Sequence, residues 1–400
     1  MADALKMKVD TEDRETFERY NLPDARDGLT PRQRRILWAM YKRKLSSRSQ
    51  FEKTACTFLD AGGTYGVDGE MSDHWGFGEA DIIDDAIAQM TQHFNAVALI
   101  EAGRGNFGQY GGAPASPRFT EIRINSFAED SMLKHIQKKT VTFQEDPRIA
   151  CGQVPVVLPS CIPGSIVLGT DVIADGFYSQ IPPHNLGEVI DAMVAMINNP
   201  DLVPEQLLDY IKGPDFINGG VIVNKSELPE IYRAGRGQIR VRGQAHVEPP
   251  EGRKRKSNLV YTQIPFGMDR DMDAFVKLIQ DLIRYGELPG VVCAYERHWL
   301  PNVEIVFELK ADADIQEVQK LLWLKTDLEM TVDYQAILLS EHTPCRMSLY
   351  NILTEHLAFY RDFLQKKNGV EPTKEEMCQE LLAIKKKHAK PRKTEIIDLV

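Results

Sequence analysis

The stretch "LPDARDGLTPRQRRILWAM", residues 22–40, constrains the fold more than any other. It begins with turn chemistry at Pro23-Asp24 and Asp27-Gly28 and passes into Thr30-Pro31. A Thr side chain that can accept a backbone N–H, followed by Pro at the first helical position, predicts a helix start. Ile36, Leu37 and Met40 then fall at helical spacing and predict a core-facing stripe. A second helix is expected over 80–94, with Ile82, Ile83, Ala86, Ile87 and Met90 as its apolar stripe. Helix, irregular turn and helix in a basic setting are compatible with a helix-turn-helix reader of DNA. The second helix is acidic (Glu79, Asp81, Asp84, Asp85), which is unfavourable against phosphates.

Charge sharpens that tension. The net charge of −10 argues, as an average, against nucleic acid. Locally, however, Arg32, Arg34, Arg35, Lys42, Arg43, Lys44, Arg48 and Lys53 crowd a window whose one acid is Glu52. Two further basic runs are "GRKRKS" at 252–257 and "KKKHAKPRK" at 385–393. Each run by itself reads as a solvated face; the first differs because it lies on an expected helix. The chain has 400 residues, enough for two or three domains. No apolar run approaches 18 residues, so no membrane span is expected. The charged start lacks the apolar core of a secretory signal. Six scattered cysteines without a CxxC pair argue against structural zinc and fit a reducing cytosol.

Further along, "AGRGNFGQYGG" (102–112) is Gly-rich but lacks the Gly-Lys-Ser/Thr ending of a phosphate-cradling loop. It reads as a tight loop that lets backbone approach something closely, or as a plain surface turn. Strands "GGVIVN", "QIRVRGQAHVE", "NLVYTQIPF" and "VEIVFELK" around the helix "MDAFVKLIQDLIRYG" indicate an α+β class. A helix from Ser348 is broken at Asn368-Gly369, and a charged helix and tail follow. No GxSxG, HExxH or metal-spaced His pair is present, and His184 reads as a satisfied structural residue. In "SPRFTEIRI" (116–124) a loop feeds a strand, and Arg118 could hold a phosphate. Phe119 beside it has no hydroxyl, so it can be neither nucleophile nor acid.

The first stretch, "GRGNFGQYGG", "PRFTEIRI", "VLPSCIPGSIVLGT", "IPPHNLGEVI", "GPDF", "YRAGRGQIRVRGQAHVE" and "IPF" follow one another in a specific order. In that order the chain resembles the A subunits of type IIA DNA topoisomerases, the gyrase A and topoisomerase IV ParC family, from about residue 20 to 360. The resemblance implies a winged-helix domain, a tower domain and a long coiled coil leading to a dimer-closing gate. On this sequence the implied division is an N-terminal arm (1–20), a winged-helix cleavage-like domain (21–150), a tower domain (151–340) and a shortened coiled-coil helix with a charged tail (341–400). It implies a homodimer on bent double-stranded DNA, in the cytoplasm at the nucleoid, and no membrane. No cofactor or metal is implied on this chain: Mg²⁺ and ATP would be held by a separate ATPase/TOPRIM subunit resembling gyrase B or ParE. Arg34 and Arg35 match the basic pair that contacts the DNA backbone, and Arg32 is expected to contact phosphates with them. Ile173 matches the isoleucine that wedges between base steps, Arg118 the arginine beside the nucleophile, and Phe119 the nucleophilic tyrosine itself.

Two more departures accompany Phe119. Where the family has His-Pro-His-Gly-Asp or His-His-Gly-Glu, this chain reads "HWGFGE" (74–79), with Trp75 and Phe77 at the histidine positions. The helix after Ser348 is also too short for coiled-coil arms and a gate. The resemblance therefore implies a DNA-binding relative that has lost cleavage. Two alternatives stay open: an active ATP-dependent topoisomerase component seen as a Tyr-to-Phe variant, and an interaction protein that mimics the A subunit without binding DNA.

Overall fold

The computed structural model describes residues 21–65, 71–72, 79–92, 97–108, 113–137, 139–146, 152–174, 176–249, 257–268, 272–299 and 302–398. The predicted helix start is observed. Helix α1 (Pro31–Lys42) is opened by a reciprocal pair in which Gln33 N–H donates to Thr30 Oγ1 and Thr30 N–H donates to Gln33 Oε1, at 3.3 and 3.0 Å. There follow β1 (Glu52–Lys53), α2 (Thr54–Asp60), α3 (Glu79–Thr91), β2 (Ile100–Ala102) and β3 (Glu121–Ile124). The three strands pair antiparallel in the order β1-β3-β2, with Glu52 opposite Ile122 and Ile100 opposite Ile124. Ile36, Leu37, Met40, Phe58, Ile83, Ile87, Ile122 and Ile124 fill the space between helices and sheet. Helix α3 ends at Thr91, short of the expected residue 94, and only one side of its predicted stripe is fully buried.

The larger part of the chain is built on a six-stranded sheet. Its elements are β4 (Thr170–Ala174), β5 (Phe177–Ile181), α4 (Leu186–Asn198), β6 (Val221–Ile222), α5 (Leu228–Ala234) and β7 (Arg236–Arg242). A second body is inserted after β7: β8 (Gln244–Glu248), β9 (Asn258–Gln263), α6 (Met272–Arg284), β10 (Val291–Trp299), β11 (Asn302–Leu309) and α7 (Ile315–Lys325). The chain returns through β12 (Glu329–Gln335) and ends its regular structure with α8 (Leu349–Asn368), α9 (Lys374–His388) and β13 (Glu395–Ile396). The six-stranded order is β13-β6-β7-β12-β5-β4; the inserted sheet runs β8-β9-β11-β10. The run "QIRVRGQAHVE", read as one strand, is divided at Gly243 between the two sheets. A Cβ at Gly243 would lie 2.9 Å from the carbonyl of Gln263, so the crossing needs a glycine.

Two cores result. Leu259, Tyr261, Ile279, Ile305, Phe307 and Leu322 form the core of the inserted body. The first helices and the six-stranded sheet share the other, which runs from Ala25 to Ile384. The expected boundary at 150/151 therefore does not coincide with a break in the packing.

The C-terminal region differs from the expectation of a coiled-coil stub and a charged tail. Helix α8 buries Ile352, Leu353, His356, Tyr360 and Phe363 in the main core and stops at Gly369, which is left-handed. Helix α9 folds back, capped by Thr373 and Glu376, and buries Met377, Leu381 and Ile384. Strand β13 then pairs in parallel with β6 at the sheet edge. Three cations of the basic run 385–393 enter internal pairs: Lys385 with Asp191 at 2.5 Å, Lys387 with Asp130 at 2.7 Å, and Arg392 with Glu188 at 2.7 Å.

Glu380 of α9 fixes this return. Its carboxylate meets His135 Nε2 at 2.5 Å and accepts from Tyr360 Oη at 3.0 Å. Burial pushes its carboxyl up, but the His135 contact, Lys367 and the Tyr360 hydroxyl outweigh that and hold it at about 2, below its ordinary 4.5. A carboxylate lowered by folding stabilises above its unfolded value and loses that contribution as pH falls through its folded one. We expect on the order of 2 kcal/mol from this group, after discounting for partial exposure, lost between pH 4.5 and 2. Urea unfolding of Glu380→Gln against the unmodified protein should give a stability gap that narrows over this window; a gap independent of pH would refute the assignment.

Candidate nucleic-acid interface

The residues singled out in the sequence divide into buried and exposed sets. Arg34 belongs to the first. Its Nε and Nη2 donate to Asp27 Oδ2 and Oδ1 at 2.8 and 2.9 Å, and Nη2 also donates to the Leu29 carbonyl at 3.0 Å. Asp27 is wholly enclosed and accepts two more bonds, from Leu29 N–H at 3.0 Å and Leu158 N–H at 2.9 Å. Burial lowers the Arg34 pKa but Asp27 more than compensates, so it is raised and the charge is held. Arg35 is buried as well. Neither the Arg34 nor the Arg35 side chain, both expected at the DNA backbone, stands at the surface, and Arg34 is part of the core.

The basic window around α1 thins further on inspection. Arg43 bridges Glu52 at 2.6 Å and Asp60 at 2.8 Å, and Lys53 pairs with Glu121 at 3.0 Å. The acids that absorb these charges, apart from Glu52, lie outside the window, which is why its sequence looked unpaired. Arg32, in the first turn of α1, is half-buried, while Lys44 and Arg48 are exposed.

Arg118 and Phe119 sit together on a short 3₁₀ turn, Pro117–Phe119, that leads into β3. The Phe119 ring is 63% exposed, and the Arg118 guanidinium carbon lies 5.3 Å from its centroid. The turn is anchored from behind. Thr54 N–H donates to the Thr120 carbonyl at 3.0 Å, and the two hydroxyls are 2.7 Å apart. Glu121 N–H donates to the Arg104 carbonyl at 2.9 Å, and a Cβ on left-handed Gly105 would lie 2.8 Å from the Phe119 carbonyl. The close approach expected of the Gly-rich loop is therefore made to the Arg118–Phe119 turn itself. Residues 109–112, with Tyr110, lie outside the described residues, as do 73–78 with Trp75 and Phe77.

Ile173 is elsewhere, on β4 of the hairpin at the far edge of the six-stranded sheet. Its side chain is 82% exposed beside exposed Asp171, in a strand whose Ala174 is buried. Asp175 lies outside the described residues. On α3, burial first, then Asp85 and Asp81, push the Asp84 carboxyl up to about 6. His184 is satisfied as expected: Nε2 meets Tyr232 Oη at 2.8 Å, and burial moves its pKa down to about 4. Among the described residues no group of three His, Cys, Asp or Glu could hold a metal ion, and no helix is long and apolar enough to cross a membrane.

The described residues thus include an exposed cation–aromatic turn, braced by a helix and a Gly-rich loop and carrying a phenyl ring without a hydroxyl, and an exposed aliphatic tip at Ile173. Residues 21–399 match the family model of the DNA gyrase/topoisomerase IV A subunit. The chain is 35% identical over 355 residues to the DNA topoisomerase 4 A subunit of Synechocystis sp., covering 86% of this chain and 36% of that protein. It is 34% identical to the DNA gyrase A subunit of the same organism, covering 90% and 41%, and 35% identical to the DNA gyrase A subunit of Thermotoga maritima, covering 84% and 40%. The chain belongs to the A-subunit family of DNA gyrase and topoisomerase IV, and it spans about two fifths of the length of these relatives.

The buried ion pair and the exposed turn predict opposite outcomes in folding. Asp27→Ala strands the Arg34 charge and two N–H donors, and should cost about 3–5 kcal/mol. Arg118→Ala, on a surface turn, should change stability by less than about 1 kcal/mol. Urea denaturation of both variants checks this; equal losses would mean that Asp27 is not the organising group described.

Proposed function

We propose that this chain is a double-stranded DNA-binding relative of the type IIA topoisomerase A subunit that cannot cleave DNA. The observation that carries the reading is Phe119, exposed beside Arg118 at the position that resembles the family's nucleophile. Transesterification needs an oxygen to attack the phosphate, and a phenyl ring has none. The order α1-β1-α2-α3-β2-β3 with strand order β1-β3-β2 supports a winged-helix reading of the first unit, with α3 as its second recognition-type helix. Arg32 and Arg118 would meet phosphates, and exposed Ile173 would wedge between base steps, trading unstacking for contact. The six-stranded sheet and its insertion would form the tower. In this reading two copies bind one bent duplex, and a gyrase B- or ParE-like subunit, where one assembles with it, holds the Mg²⁺ and ATP. The acids described near Phe119 are engaged by cations, as Glu121 is by Lys53, which fits a metal held by the partner.

One observation favours a second reading, a mimic of the A subunit that binds protein and not DNA. Cations of two of the three basic runs, namely Arg34, Arg43, Lys53, Lys385, Lys387 and Arg392, are held in internal ion pairs, on a chain of net charge −10. A duplex-binding isotherm at two salt concentrations separates the readings. DNA binding should weaken steeply with salt, and Arg32→Ala with Arg118→Ala should reduce the log–log slope by about 2. Binding absent at low salt, or a slope unaltered by the double change, would favour the mimic.

A restored oxygen tests the loss of cleavage. With Mg²⁺ and a relative's ATPase/TOPRIM subunit, Phe119→Tyr should still give no covalent adduct, since Trp75 and Phe77 replace the family's histidines. A trapped phosphotyrosyl adduct from this single change would show that only the oxygen was missing. A Tyr codon at 119 in the natural gene would instead identify an inactivated variant of an active enzyme.

A further inference from the structure

A cavity of about 710 Å³ lies between the turn Pro204–Asp209, helix α5 and the start of α8. Its volume falls in the range of small-molecule sites. Leu207, Pro229, Tyr232 and Leu349 give it an apolar lining, and Arg233, Arg236 and Arg346 stand in the same wall with Glu205 and Glu230. Glu230 is taken up by Arg233, which it meets through two bonds of 2.7 and 2.9 Å. Among the described lining residues Arg236 and Arg346 then share the wall with one further carboxylate, Glu205.

Arg346 is the informative residue. Its Nε is buried and has no hydrogen-bond partner among the described residues. Elsewhere in the fold Arg34, Arg43, Arg123, Arg242 and Arg392 are each matched to carboxylates. A buried guanidinium N–H without an acceptor is costly, and a native fold normally satisfies it. Its position is fixed by packing: at left-handed Gly235, just after α5, a Cβ would lie 2.3 Å from the Met347 carbonyl and 3.2 Å from Arg346 Cγ. Next to it, α8 begins with no acid in its first turn. Ser348 Oγ accepts only from Asn351 N–H, so the first N–H groups of this 20-residue helix keep their positive character.

We propose that this cavity binds a small organic anion: an apolar, ring-sized body seated on Leu208, Pro229 and Tyr350, with a phosphate or carboxylate accepting from Arg346 and Arg236. The site lies away from the Arg118–Phe119 turn and does not depend on the reading of that turn. Phenyl phosphate is the probe, titrated calorimetrically into the full chain. It should bind at least tenfold more tightly than either phenol or inorganic phosphate alone. Arg346→Gln should weaken it about tenfold, and Arg236→Gln, an exposed change that leaves the core intact, about threefold. A short duplex should not displace it. Failure of the unmodified protein to bind phenyl phosphate would overturn the proposal. So would equal affinity in Arg236→Gln, which decides the matter if Arg346→Gln does not fold, and so would displacement by the duplex, which would assign these arginines to a nucleic-acid surface.

Discussion

The pair of Asp27 with Arg34 is the constraint around which this chain is arranged. A carboxylate with no solvent exposure must have its lone pairs occupied, and Asp27 recruits partners from three places: its own turn at Leu29, helix α1 at Arg34, and the distant loop at Leu158. Gly28 then lies so close to Gly164 and Ser165 that a Cβ there would fall 1.9 Å from the Ser165 nitrogen. From the other side, His356 Nδ1–H of α8 donates to the Arg26 carbonyl at 2.7 Å. Residues 24–34, 158–165 and 356 are thus locked into one point, where the first helices, the six-stranded sheet and the returning C-terminal helices meet. Such a pair specifies an arrangement more than it stabilises one, because a poorly formed alternative leaves a bare charge in the core.

This arrangement changes what the protein's charge means. A count of Lys and Arg along α1 and along the last residues suggests phosphate-binding surfaces. Folding diverts much of that charge to Asp27, Asp60, Asp130, Glu188 and Asp191. In the proposed DNA-binding reading, placement therefore counts for more than total charge, and single residues such as Arg118 matter more than the sum.

Local signals were the ones legible in the sequence. Thr30-Pro31 marked a helix start because capping and proline geometry act within one turn, and Ile36, Leu37 and Met40 marked its buried face. Gly369 marked the end of α8 because only a left-handed residue fits there. A loop feeding a strand at Arg118–Phe119 was legible from the local sequence as well, whereas the Gly-rich loop could be read equally as a close approach or a plain surface turn. What was not legible depends on partners far apart in the chain. Nothing near Arg34 distinguishes a phosphate contact from a partner to Asp27, seven residues back and enclosed only once Leu158 arrives. The same holds for Glu380, whose partner His135 is 245 residues away. Gly243 hides a change of sheet inside a continuous alternating run, since the period of two is the same on both sides.

The parallel pairing of β13 with β6 has a consequence for synthesis on the ribosome. Val221 and Ile222 emerge about 170 residues before Glu395 and Ile396, which complete that side of the sheet. At translation rates of roughly 5–20 residues per second the nascent chain carries an open sheet edge for on the order of 10–30 s. Exposed edges template pairing with other chains. During that interval two things shield it: β6 is only two residues long, and Gly219 and Gly220 just before it add no apolar side chains.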